Sequence, residues 1–434
     1  MYRYPTEKMA ALRTEIDRFR DFVWMQCEYN NCEEAAAAIE KLNQSVKALE
    51  AELNSMPGEP LLAAREPNEY EKITALSEGG NVPAKELPNL EKRMLGALNG
   101  RFAGCMLGAP IEGWKHYSIK AFAEQAGMEY PPENYWKAVP NAEGEFFGLK
   151  RTNLQRGHVA CAGVDDDITY TLLGYQILKE YGPNFTTADV GEAWKKYLPH
   201  ACTAEEVALR NLKAGIPAEK AAEIDNPYRQ WIGADIRADA FAYAAAGDPH
   251  RAAAYGYRDA YLSHRRNGIY GEMYFAAAEA AAFTADDPME ALRIGMKEIP
   301  TDCLLYHDLA WAFETCPKIH TYEDGIAAIA ERFGEQSHVH TNNNACLVVF
   351  GLHLGGLDFT KTIGQTVAMG YDNDCTAATV GSILGAVIGI DRIPAYWYEC
   401  FNNTVRTYMI GRTTYAIDEV AADLCDMARA GLHR

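Results

Sequence analysis

Two aspartate clusters, Asp165-Asp166-Asp167 and Asp372-Asn373-Asp374, restrict the folds open to this chain more than any other feature. Each stands where a loop should run into a helix. Adjacent carboxylates repel one another, so a folded domain leaves such a run in solvent or supplies it with a cation. The flanks argue against solvent. Ala160-Cys161-Ala162-Gly163-Val164 precedes the first cluster, and Ala377-Ala378-Thr379-Val380-Gly381 follows the second. Small apolar flanks predict burial, and buried carboxylate oxygens suit hard divalent cations.

Helical periodicity dominates the rest of the chain. Ala-rich patterns recur over 203–215, 238–246, 249–262, 270–284, 321–333 and 416–430, whereas strand-like alternation is scarce. The expectation is an all-α domain over residues 93–434. The run from Ala377 to Ile390 is too short to span a bilayer and is broken by Gly381, Gly385 and Gly389, which predicts a buried helix with a close-packed glycine face. Residues 113–160, with Tyr130-Pro131-Pro132 and Tyr135-Trp136, read as a loop-rich rim. Ahead of the domain, residues 1–56 read as a helical hairpin. Its first arm carries Leu12, Ile16, Phe19 and Val23, and its second carries Ile39, Leu42, Val46, Leu49 and Leu53 at heptad-like steps. Asn31 and Glu34 resemble a capping box at the start of the second arm. A packing appendage and a homodimer contact are the two roles expected of this hairpin. Residues 57–92, rich in Pro and Gly, read as a linker or extended wrap.

The net charge of −19 argues against sequence-independent nucleic-acid binding and against docking on anionic lipid. Eleven cysteines, scattered without a CxxC pair, and an N-terminus lacking an apolar core suit reduced thiols in a cytoplasm.

Four further segments carry candidate chemistry. Asp165 to Asp167 open an apolar helix, where one or two acids are explained by capping and the macrodipole but three are not. Gly100 to Gly113 is a small-residue helix ending in Pro110-Ile111-Glu112-Gly113, where Glu112 alone reads as an ordinary helix-end acid. Ser263-His264 and the following Asn267-Gly268-Ile269-Tyr270-Gly271 suit a binding loop at a helix start, although a lone His264 reads first as a core residue. His340-Thr341-Asn342-Asn343-Asn344 precedes an apolar run, and capping accounts for one of its asparagines. Five aspartates exceed what one Mg²⁺ takes from protein, so two ions are the better reading.

Taken in order, the blocks Gly104-Cys105-Met106-Leu107-Gly108-Ala109-Pro110-Ile111-Glu112, Asp165-Asp166-Asp167-Ile168-Thr169-Tyr170-Thr171, Ser263-His264 and Gly370-Tyr371-Asp372-Asn373-Asp374-Cys375-Thr376 resemble the ADP-ribosylglycohydrolase family. That family includes ADP-ribosyl-arginine and ADP-ribosyl-serine hydrolases and the dinitrogenase-reductase-activating glycohydrolase. The resemblance implies an all-α fold with a binuclear Mg²⁺ centre, Mn²⁺ or Ca²⁺ being the alternatives. Asp166, Asp167, Asp372 and Asp374 match its metal ligands, and Asp165 stands where a threonine ligand is common. Glu112 matches an acid beside the metals, which reverses its reading as a plain helix-end acid. With Asp374 it is a candidate for taking a proton from water. His264, Asn267, Gly268, Tyr270 and Gly271 fall where relatives contact ADP-ribose, with His340, Asn343 and Asn344 as further candidates for that surface. Cys375 and Cys105 depart from the family pattern. The implied activity is cleavage of a ribosyl C1″ bond in an ADP-ribosylated protein or small molecule. A non-catalytic ADP-ribose binder and a hydrolase of nucleoside-like N-glycosides are the alternatives.

Overall fold

The computed structural model describes residues 5–79, 87–137 and 151–432. Among them the chain is helical apart from one two-stranded antiparallel ribbon, Thr404–Arg406 with Thr414–Ala416, in which Val405 faces Tyr415. The expected helices are present, as Thr203–Lys213, Ala238–Ala244, Pro249–Ala260, Asn267–Ala282, Tyr322–Phe333 and Ile417–Leu432. No helix among the described residues is long and apolar enough to cross a membrane.

Two compact units divide the chain: residues 1–64 with 332–336, and residues 65–331 with 337–434. The smaller contains the expected hairpin, Thr6–Glu28 and Cys32–Ser55. Its first helix buries nothing and its second buries Ala35; of the stripe residues Phe19, Val23 and Leu42 are half-buried, and the others stay exposed, Leu12 and Leu53 each at 63%. The expected capping box does not form. Asn31 makes no side-chain cap bond, and its Nδ2 donates to Gln26 Oε1 at 2.8 Å. The stretch read as a linker carries two short helices, Pro60–Arg65 and Tyr70–Leu76, and from residue 65 it belongs to the larger unit. Glu66 is 2% exposed there and accepts Leu304 N at 2.8 Å. The expected rim over 113–160 contains the helix His116–Gln125, and its residues 138–150 lie outside those described.

The larger unit is organised around helices buried on every side. Asn267–Ala282 and Asn373–Ile388 are buried along their whole length, and Leu90–Gly108 nearly so. Hydrophobicity all round a helix requires such burial. Leu90–Gly108 and Asn373–Ile388 touch backbone to backbone. Gly96, Gly100, Gly104 and Gly108 fall on one four-residue row and meet Gly385, Gly381, Ala377 and Asp374 in turn. A Cβ at any of these four glycines would overlap the facing main chain. The predicted glycine face is therefore real, and it sets Asp374 directly against the end of the first helix.

This contact reverses a rule of helix propensity. Gly→Ala inside a helix ordinarily gains about 1 kcal/mol. Gly104→Ala should instead lose about 2 kcal/mol, since its methyl must displace the Ala377 carbonyl. Urea denaturation against Ala422→Leu, on an exposed helix face, checks the sign; equal midpoints would contradict the backbone contact.

Candidate metal centre and its cavity

Both acidic clusters fold as helix N-termini, for reasons visible in their sequences. Asp165 is the N-cap of Asp166–Tyr181, with extended backbone and Oδ1 accepting Asp167 N at 3.1 Å. Ahead of it, Ala162 pairs with the strand Thr404–Arg406: its N–H donates to Thr404 O at 2.8 Å and its carbonyl accepts Arg406 N at 3.0 Å. Asp372 takes the N-cap position of Asn373–Ile388 without a side-chain cap bond, following Gly370 and Tyr371, which both have positive φ. Glu112 ends the turn Ala109–Ile111 that continues the glycine-faced helix, and is exposed.

These segments converge. Ligand atoms of Glu112, Asp372 and Asp374 lie within 4.8 Å of one another, as do those of Cys105, Asp165 and Asp374, and those of Asp165, Asp166 and Asp167. Asp374 belongs to two of the groups and joins them. Its Oδ1 is buried with no hydrogen-bond partner among the described residues, a costly state for a carboxylate unless a cation meets it. Burial, then neighbouring carboxylates, pushes Asp166 and Asp374 well above the usual range. Asp372 is pushed up to about 7, chiefly by desolvation and then by Glu112 and Asp165. Asp167 is also raised by burial, against the pull of Arg101. Six carboxylates here face two guanidinium groups, Arg101 on Asp167 at 3.2 Å and Arg151 on Asp165. The excess negative charge and the oxygen donors fit a hard divalent cation.

The thiols do not fit one. Burial pushes Cys105 and Cys375 far above the usual thiol range, so both stay neutral. The neighbouring Thr376 Oγ1 donates to Asp372 O at 3.0 Å, which leaves its lone pairs available.

A cavity of about 140 Å³ opens over the cluster, lined by Glu112, Asp166, Asp167, Asp372 and Asp374 on one side. The rest of its wall includes Tyr170, Cys202, Glu205, Trp231 and Val339. Sequence reasoning missed this wall. Its framework is Arg237, fully buried, which reaches Glu205 at 2.6 Å, Glu272 at 3.5 Å and Asp259. Arg101 likewise ties Asp167 to Asp239 at 2.9 Å and donates to Ile236 O at 2.7 Å. An arginine inside a glycine-rich apolar helix was the one available signal for Arg101; nothing local marks Arg237 or Arg151.

The structure places the remaining sequence candidates elsewhere. His264 is fully buried, its Nδ1 sharing a hydrogen bond of 2.8 Å with Ser263 Oγ, which also accepts from Arg237. Asn267 donates to Glu66 Oε2 at 3.0 Å and Gln230 Oε1 at 2.9 Å, and accepts Leu305 N at 2.9 Å. Tyr270 donates to Pro67 O, while Gly268 and Gly271 leave room for Arg229 O and Asp235 Oδ1. The segment read as a binding loop is thus occupied by the chain's own residues 66–68. Asn343 and Asn344 donate to Ser337 O and His338 O, each at 2.8 Å, and so brace the 337–340 loop. His340 caps the Thr341–Gly355 helix through Nδ1, and burial pushes it down to about 4. That loop supplies Val339 to the cavity wall through Ile232 N→Val339 O, 2.9 Å.

No curated protein matches this chain. Among solved structures, an ADP-ribosylglycohydrolase-related protein complex superposes with a TM-score of 0.51 at 18% identity, covering 79% of this chain and 99% of that one. At that identity the likeness speaks for the fold. The family model for ADP-ribosylglycohydrolase matches residues 86–431. That match takes in the glycine-faced helix, both acidic helix starts and the cavity wall, and the chain belongs to the ADP-ribosylglycohydrolase family, a family of glycoside-bond hydrolases.

Proposed function

We propose that this chain hydrolyses the ribosyl C1″ glycosidic bond of an ADP-ribosylated protein or small molecule, using a binuclear Mg²⁺ centre. The observation that supports it most is Asp374, whose buried, unpartnered oxygen joins two groups of acidic ligands beneath one cavity. Asp165, Asp166, Asp167, Asp372 and Asp374 would hold the cations. Bound there, hard divalent ions supply positive charge that orders sugar hydroxyls and favours ionisation of a nearby water.

The chain's own groups do the rest. The cavity, at about 140 Å³, is smaller than the usual small-molecule pocket and suits a pentose rather than a whole dinucleotide. Trp231 and Tyr170 give it aromatic walls that exclude water from the sugar. Positive charge grows on the ribose ring as the C1″ bond breaks, and the surrounding carboxylates stabilise it. Glu112 stands at the open side beside Asp372 and Asp374, placed to take the proton of the attacking water. A non-catalytic ADP-ribose binder is the second reading, favoured by the neutral Cys105 and Cys375 thiols near the ligand set.

Two variants separate these readings. At one hundred times its Kd, Mg²⁺ should stabilise the native chain by about 2.7 kcal/mol in thermal unfolding. Asp374→Asn should lose that shift and all hydrolysis while keeping its circular dichroism; retained turnover would refute the assignment. Glu112→Gln should keep Mg²⁺ binding by calorimetry yet lose about 10²- to 10⁴-fold in turnover of an ADP-ribosyl substrate. Binding of ADP-ribose by the native chain with no turnover on arginine, serine or nucleoside acceptors would favour the binder.

A further inference from the structure

A second cavity, of about 310 Å³, lies at the other end of the helix that begins with the acidic cluster. Leu178 lines it, roughly 17 Å along the helix axis from Asp167 at 1.5 Å per residue. Helix Pro249–Ala260 gives it one face, with Arg251, Ala254, Tyr255 and Arg258 at the spacing that shares a helix side. Met427 of the C-terminal helix closes it.

The two arginines are not equivalent. Arg258 is committed to the wall: its Nη1 donates to Pro183 O at 3.0 Å and Phe185 O at 3.3 Å, and its guanidinium lies 5.6 Å from the Tyr255 ring centre. Arg251 is not. Its Nε and Nη2 are buried without a hydrogen-bond partner among the described residues. Its nearest acid is Asp248, 3.5 Å from Nε through Oδ2, while Asp248 Oδ1 caps the helix by accepting Arg251 N at 3.0 Å. The guanidinium rests against Gly431, where a Cβ would overlap it. Side chains are therefore arranged to hold a cationic fork at the edge of an apolar space, its Nη2 without a hydrogen-bond partner among the described residues.

We infer that this cavity is a binding site, separate from the acidic cleft, for a small organic carboxylate with an apolar body. The planar fork of Arg251 matches a carboxylate. Leu178, Ala254, Met427 and the Tyr255 ring receive the apolar remainder. Asp248 beside the fork disfavours a dianion, which sets a carboxylate above a phosphate.

Calorimetry on the full chain with hexanoate, its neutral isostere hexanamide, and inorganic phosphate tests this. Hexanoate should bind once per chain, with hexanamide and phosphate each at least tenfold weaker. Arg251→Gln should weaken hexanoate at least tenfold, and Ala254→Leu, which fills the space and keeps the charge, should abolish binding. No hexanoate heat, or hexanamide binding equally well, overturns the site. So does unchanged hexanoate binding in Ala254→Leu, which decides the matter if Arg251→Gln fails to fold.

Discussion

The close approach of Leu90–Gly108 to Asn373–Ile388 governs everything built above it. Side chains normally hold helix axes 8–10 Å apart, and glycines on matching four-residue rows remove that spacer. The reward is position. Gly108 meets the first turn of the second helix, so Asp374 cannot shift along its axis without a main-chain clash. Cys105 and Glu112, one turn to either side of Gly108, are carried to the same place. Rigid elements fix catalytic groups more closely than loops do, and here the rigidity comes from backbone packed on backbone.

Gathering acids on such a scaffold creates an electrostatic load. Arg101 and Arg237, both fully buried, distribute it. Arg101 bridges the acidic cluster to Asp239, and Arg237 bridges the cavity wall to Asp259 and Glu272. Buried ion networks are weak evidence for net stability, but breaking one leaves an uncompensated charge. Their use here is to hold Asp167 and Glu205 in fixed orientations around one small cavity. Burial raises Asp166, Asp372 and Asp374, and it raises Asp167 even against the pull of Arg101.

Local composition made part of this legible in the sequence. Three aspartates between apolar flanks, and glycines four residues apart, each describe an environment within a dozen residues. The acid set, the helical class and the glycine contact follow from such windows. Asn267 and Tyr270 show the opposite case. Their polar neighbours suggested a ligand, but the partner is Glu66 to Asn68, some two hundred residues earlier, in a stretch whose prolines read as a linker. A partner at that separation leaves no local periodicity. The Thr404–Arg406 strand was equally invisible, since three residues cannot establish an alternation, yet it anchors Ala162 and through it the first cluster. Asn343 and Asn344 read as candidates for a ligand surface, because their acceptors, the carbonyls of 337 and 338, exist only once the loop has turned.

Departures from the family pattern cluster on the floor of the site, and the geometry gives them a common consequence. Asp165 spends one oxygen on the Asp167 N–H and pairs the other with Arg151. Cys375 stays a neutral thiol, and the Thr376 hydroxyl is held by the Asp372 carbonyl. The unpartnered Asp374 Oδ1 remains, flanked by Asp372 and Glu112. Both helix starts contribute acids to this floor, and Asp374 belongs to a group with each of them. Asp374 stands on the helix that the glycine row meets backbone to backbone, so that contact and an unpartnered buried oxygen coincide at one residue.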